Sequence, residues 1–143
     1  MIDNHILLMP ITVLLLLFAS CTPQHARSEP AVKKTMQELT APAADGVFAV
    51  ANTAPNTAQD WLHVKHHALN LVAAGEWLVS KPLNKDQAIW RQAANTLLTA
   101  AKAAVAAANA NDVEAVMNAG NDLYAACASC HAQYLTPPKS KSH

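Results

Sequence analysis

The stretch VEAVMNAGNDLYAACASCHAQYL, residues 113–135, decides how this chain folds. Val113, Val116, Gly120, Leu123, Cys127, Cys130 and Tyr134 recur in it at steps of three and four residues. Such spacing draws one seam along an α-helix, because positions three and four apart share a face. A strand would alternate every second residue, and this stretch does not. The seam ends in Cys127-Ala128-Ser129-Cys130-His131. On a helix the two thiols emerge on one face, and His131, four residues after Cys127, shares it.

C-x-x-C-H is the attachment signature of a c-type haem. The two thiols add to the vinyl groups of the porphyrin as thioethers, and the adjacent histidine offers a neutral imidazole nitrogen to the iron. Cys127 and Cys130 are therefore the candidate haem-binding residues, and His131 the candidate proximal ligand. Competing chemistries fit less well. A zinc site wants four spread ligands, but His131 directly follows Cys130 and there is no second cysteine pair. A redox C-x-x-C belongs near a β-α-β pattern, and no strand pattern is present.

Working outward, three earlier segments carry seams of the same kind. Val32, Met36, Leu39, Ala43, Val47 and Val50 predict a first helix over residues 31–51, kinked at or near Pro42. Trp61, Val64, Ala68, Leu71, Gly75 and Leu78 predict a second, ending near Ser80, with Thr57 and Asp60 as its capping box. Trp90, Ala94, Leu97, Ala101, Val105 and Ala108 predict a third over residues 85–109, capped by Asn84 with Gln87. The 113–135 stretch is the fourth. Short connections then imply an all-α, antiparallel up-down-up-down four-helix bundle over residues 31–135, with haem attached to the last helix. The alanines of the third helix are good helix formers, and they also leave room for a flat cofactor.

Composition sets the bounds. The 143 residues allow one domain, apolar content is 52%, and there are only 3 glycines. A formal net charge of zero, with no basic face, argues against nucleic acid as a partner. No nucleophile–base pair stands out, so the chain does not read as an enzyme.

Ile6 to Ser20 is almost wholly apolar, the length of a signal-peptide core and short for a membrane span. It runs Leu17-Phe18-Ala19-Ser20-Cys21, which resembles a bacterial lipobox, with cleavage before a lipidated Cys21. Phe18 stands where leucine is usual, and residues 1–5 hold no Lys or Arg. Residues 1–20 are thus expected to be a signal peptide, with an ordinary cleaved signal or an uncleaved anchor as alternatives. Residues 21–30 read as a flexible tether and 136–143 as a disordered basic tail. All versions place the domain in the bacterial periplasm, where covalent haem attachment is completed.

A four-helix bundle with C-x-x-C-H near its C-terminal end resembles the class II c-type cytochromes, the cytochrome c prime family. Pro42-Ala43-Ala44-Asp45 before Val47-Phe48, and Trp61 before Val64-Lys65-His66, resemble a proteobacterial branch of it. The resemblance implies one haem c, with Cys127 and Cys130 as thioethers and His131 as proximal ligand. It also implies that the first helix faces the distal side of the iron. Members with a methionine there carry electrons, whereas those with an apolar residue bind nitric oxide or carbon monoxide. Met36 and Met117 are the methionines left after signal removal. Met117 shares the helix of His131, about three turns away, and Met36 lies on the first seam. Met36 is thus the candidate distal ligand, with a flexible core filler as the alternative. His67 flanks the second seam, with a haem propionate as a conceivable neighbour, while His63 and His66 face away. Leu135 stands where many members have a basic residue.

The resulting expectation is a membrane-tethered monohaem electron carrier serving periplasmic or membrane redox proteins. A five-coordinate gas-binding protein is the alternative, and pairing of first helices into a homodimer stays open. Growth with a radioactive fatty acid is expected to label the chain, and Cys21→Ser to abolish the label. An unlabelled wild type, or a labelled variant, removes the lipid anchor.

Overall fold

The computed structural model describes residues 25–81 and 86–135. The expected signal segment, the lipidation site Cys21, the cap Asn84 and the tail 136–143 lie outside them. Among the described residues the chain is all helix, without strands, and builds four helical arms packed against one another.

The first arm is continuous but changes its winding. It comprises α1 (His25–Thr35), a π-helical turn (Met36–Thr40), α2 (Ala41–Phe48) and a closing 3-10 turn (Ala49–Ala51). The kink expected at Pro42 takes the form of this wider π turn immediately before it. Proline has no N–H to give the Glu38 carbonyl, and its ring crowds that carbonyl in an α register. The Ala41 N–H bonds the Met36 carbonyl instead, five residues back. The buried Thr40 hydroxyl donates to the Thr35 carbonyl at 3.2 Å across the same span.

The arm also starts early. The expected tether, 21–30, gives way to helix at His25. Pro30 is the sixth residue of α1, where its missing N–H forfeits a single intrahelical bond, and Ala26, Arg27 and Glu29 are good helix formers.

The second arm, α3 (Ala58–Ser80), begins at the expected capping box. The Asp60 N–H donates to Thr57 Oγ1 at 3.1 Å, and the Thr57 N–H donates to Asp60 Oδ2 at 2.9 Å. The Asn56 N–H adds a third bond to the same carboxylate. The Asn56 bond first, then the Thr57 hydroxyl and N–H, hold the Asp60 carboxyl below the usual carboxylate range. The third arm, α4 (Gln87–Ala110), starts after Asp86, two residues later than expected. It ends at Asn111, the one non-glycine residue with positive φ (54°) among those described. There Asn111 N–H bonds Ala108 O and Asp112 N–H bonds Ala107 O, which closes the helix as a Schellman motif with Asn in the left-handed place. Asp112 then caps the fourth arm, α5 (Val113–Tyr134), by accepting the Ala115 N–H at 2.9 Å.

Neighbours close into a ring, since α2 packs on α3 and α5, and α4 packs on α3 and α5. The seams meet inside it. Val47, Leu71, Leu78, Val116 and Leu123 are fully buried, each stabilising the fold by roughly 1.5–3 kcal/mol. Trp90 crosses from α4 to donate its indole N–H to the Leu78 carbonyl at 2.9 Å, a buried tie between the ends of α3 and α4. Val64, Ala68 and Gly75 are buried on α3 as the spacing predicts, with Trp61 half-buried. Along α4, Ala101, Ala104, Ala107 and Ala108 are buried too, so most of this alanine stripe brings helices close together.

Helices α3 and α4 come close together at Gly75. A Cβ there would come within 3.1 Å of both Cα and Cβ of Leu98 on α4. Gly75→Ala would gain roughly 1 kcal/mol of helix propensity but lose about 1–3 kcal/mol to overpacking. The expected net is a lower Tm in thermal unfolding, and a much lower one for Gly75→Leu. A higher Tm for Gly75→Ala would show that α3 and α4 can separate freely.

Candidate functional site

A cavity of about 240 Å³ opens between the arms at the end of the bundle that holds the C-terminal part of α5. Its construction follows from the seams. Val116, Ala119 and Leu123 close the core, and the next turns of the same face carry Ala126, Cys127 and Cys130 to the cavity wall. The first arm supplies Met36, Thr40, Ala41, Ala44, Asp45 and Phe48. Leu78 of α3 and Trp90, Ala94 and Leu97 of α4 complete the apolar lining.

Four sequence-predicted residues therefore share one cavity: Cys127, Cys130 and His131 from α5, and Met36 from the first arm. Cys127, Cys130 and Met36 are partly buried and packed against the core. His131 borders the cavity while its residue as a whole is exposed. Burial pushes both thiols above the ordinary cysteine range, and for Cys130 the neighbouring Cys127 adds to the effect. Among the described residues no three His, Cys, Asp or Glu side chains converge as ligands of a metal ion. Cys127, Cys130 and His131 thus do not form a zinc-type cluster.

The cavity wall sets what could sit in it. It is almost wholly apolar, as a porphyrin face requires, with Asp45 and the Thr40 hydroxyl as its polar exceptions beside His131. Tyr134, one turn beyond Cys130, packs edge-on against Trp90 at 5.1 Å between ring centres. Its buried hydroxyl has no hydrogen-bond partner among the described residues. Burial first, and the charges of Asp86 and Cys130 after it, push its phenol above the usual range. An unpartnered donor this close to Cys130 leaves a hydrogen bond to be made.

Other candidates lie elsewhere. Met117 is 44% exposed and borders a separate surface cleft with Tyr124 and Phe48. His63 and His66 are exposed and make hydrogen bonds to Gln59 and Asn70, each one turn away. His67 lies against Gly46 of α2, where an added Cβ would collide with its ring, and it does not line the cavity. Thr40, Ala44, Phe48, Trp90 and Leu97 belong to the cavity, a role their sequence spacing does not reveal. The seams mark Trp90 and Leu97 as inward, and inward residues can face the core or a cavity alike, while Thr40, Ala44 and Phe48 each lie one residue beyond a member of the first seam. No family model matches this chain, and no characterised protein or solved structure does so either.

The raised thiols are testable in the unmodified chain. Cys127 and Cys130 are expected to alkylate more slowly than free cysteine near pH 8 and to reach its rate in denaturant. The folded thiol pKa values exceed the unfolded one, so stability is fully present below the ordinary thiol range and falls as pH rises through it. Alkylation at the rate of free cysteine in the folded chain would show open, solvated thiols.

Proposed function

We propose that this chain is a monohaem c-type cytochrome of the class II kind, an electron carrier in the bacterial periplasm. The observation that carries the reading is that one apolar cavity collects Cys127, Cys130 and His131 from α5 and Met36 from the first arm. The fold proposed with it is an antiparallel up-down-up-down bundle with haem c on its last helix. The two-residue link Asn111–Asp112 favours that order.

The haem, when bound, supplies a one-electron iron centre. The chain's residues hold and tune it. Cys127 and Cys130 anchor the porphyrin edge by thioethers. With the haem bound, His131 would offer a neutral imidazole nitrogen to the iron, and Met36 would offer a thioether. Thioether ligation raises the reduction potential. The apolar walls from Ala44, Phe48, Trp90 and Leu97 keep water from the centre. Asp45 adds a carboxylate at the lining, which favours the more positive, oxidised state.

Tethering through a lipidated Cys21 and exchange of electrons with periplasmic or membrane redox proteins complete the proposal. Among the described residues no helix is long and apolar enough to cross a membrane, so a tether of this kind would come from outside them. One observation favours a second reading. Met36 packs against the core cluster as well as bordering the cavity. With its sulfur kept in the core, the sixth position of the iron would be left to nitric oxide or carbon monoxide.

An optical spectrum separates the two. Electron transfer predicts a sharp reduced α-band and a weak far-red thioether-to-iron band in the oxidised state. Met36→Ala is expected to abolish that far-red band and admit carbon monoxide. A broad high-spin wild-type spectrum with ready carbon monoxide binding would establish the gas-binding reading instead.

A further inference from the structure

We infer that Pro42 is a positioning residue for Met36, acting through the π-helical turn between them; the inference rests on the proposed role of Met36 as distal ligand. The turn Met36–Thr40 is the one π-wound segment among the described residues, and Met36 is its first residue. Pro42 follows two residues after its end. The N–H that would hold an α register at this point, from residue 42 to the Glu38 carbonyl, does not exist.

The register matters because it decides which residue faces the cavity. In the π turn the Ala41 N–H reaches back to the Met36 carbonyl, so residues 36 and 41 stack five apart. Both border the cavity, as do Thr40, Ala44 and Asp45 on the next turn. In an α register residue 41 would stack over residue 37, four back. Closing the π turn rotates everything before it by roughly 100° relative to α2, the angle of one residue in a 3.6-residue turn. Gln37, now exposed, would then take the place of Met36, and Met36 would leave the cavity wall. Thr40 secures the same register from inside, since its hydroxyl bonds the Thr35 carbonyl five residues back and its side chain is 4% exposed. Pro42 and Thr40 thus hold one residue of extra winding, and that extra residue aims Met36.

Pro42→Ala tests this in the mature protein with two readouts. The first is the hydrogen-bond partner of the Ala41 N–H, read by trans-hydrogen-bond NMR couplings, which do not depend on iron ligation. It is expected to move from Met36 in the wild type to Gln37 in the variant. The second is the optical spectrum. Pro42→Ala is expected to lose the far-red thioether band and bind carbon monoxide. The triple variant Pro42→Ala/Met36→Gln/Gln37→Met, with the thioether moved one residue along, is expected to regain the band and exclude carbon monoxide. A coupling that stays on Met36 in Pro42→Ala overturns the inference, and so does a register that shifts while the band persists. A wild type without the band, unchanged by Met36→Ala, fails the electron-carrier reading itself and takes the aiming role with it. The couplings would still report what Pro42 does to the helix.

Discussion

A helix offers a core one face, and the face of α5 is divided between two duties. Its first half, through Val116, Ala119 and Leu123, is buried against the neighbouring arms and closes the core. Its second half turns Ala126, Cys127 and Cys130 to a cavity. Because both halves lie on one unbroken seam, the site cannot shift relative to the core without turning the whole helix. That turn would expose Leu123 and Val116 to water, at roughly 1.5–3 kcal/mol for each buried side chain. The rigidity of the site is thus inherited from the core beneath it. The Asp112 cap and the Asn111 turn fix where α5 begins, and with it the rotation of every residue up to His131.

The first arm meets this fixed face by a different device. Where α3, α4 and α5 are regular α-helices, the first arm changes winding three times, from α to π, back to α and finally to 3-10. Its middle is the segment that lines the cavity. Irregular winding usually leaves backbone carbonyls without donors, and here the buried Thr40 hydroxyl satisfies that of Thr35. Across the ring, the close contact at Gly75 and the small residues of α4 pull α3 and α4 together. Only Ala93 and Ala94 of that alanine run border the cavity. The alanine content therefore serves close helix packing over most of its length and makes room at one end.

Charge is sparse throughout the described structure. The ion pair Lys34–Glu38, at 3.8 Å, joins two well-exposed side chains and contributes at most about 1 kcal/mol. Stability rests on apolar seams, caps and the buried Trp90–Leu78 hydrogen bond. Asp45 borders the apolar cavity, but its residue is exposed, so water screens its charge.

Much of this was legible in the sequence, and the reason is periodicity. Seams at three- and four-residue steps identified the helical arms, and their members are buried or half-buried as that spacing requires. The Thr57–Asp60 box marked the start of α3, because capping is local chemistry between residues three apart. Spacing also put Cys127 and Cys130 on the seam and His63 and His66 off it. Tertiary structure alone decided which inward residues face packed side chains and which face a cavity. Thr40, Ala44, Phe48 and Trp90 carry no local mark of that difference. It also decided the winding before Pro42 and the early start at His25, since proline in a sequence announces a disturbance without stating its form. The meeting of Met36 with Cys127, Cys130 and His131 joins residues some ninety positions apart. Sequence periodicity turned Met36, Cys127 and Cys130 toward the interior and set His131 on the face of Cys127, and only the packing of the arms brought the four to one cavity.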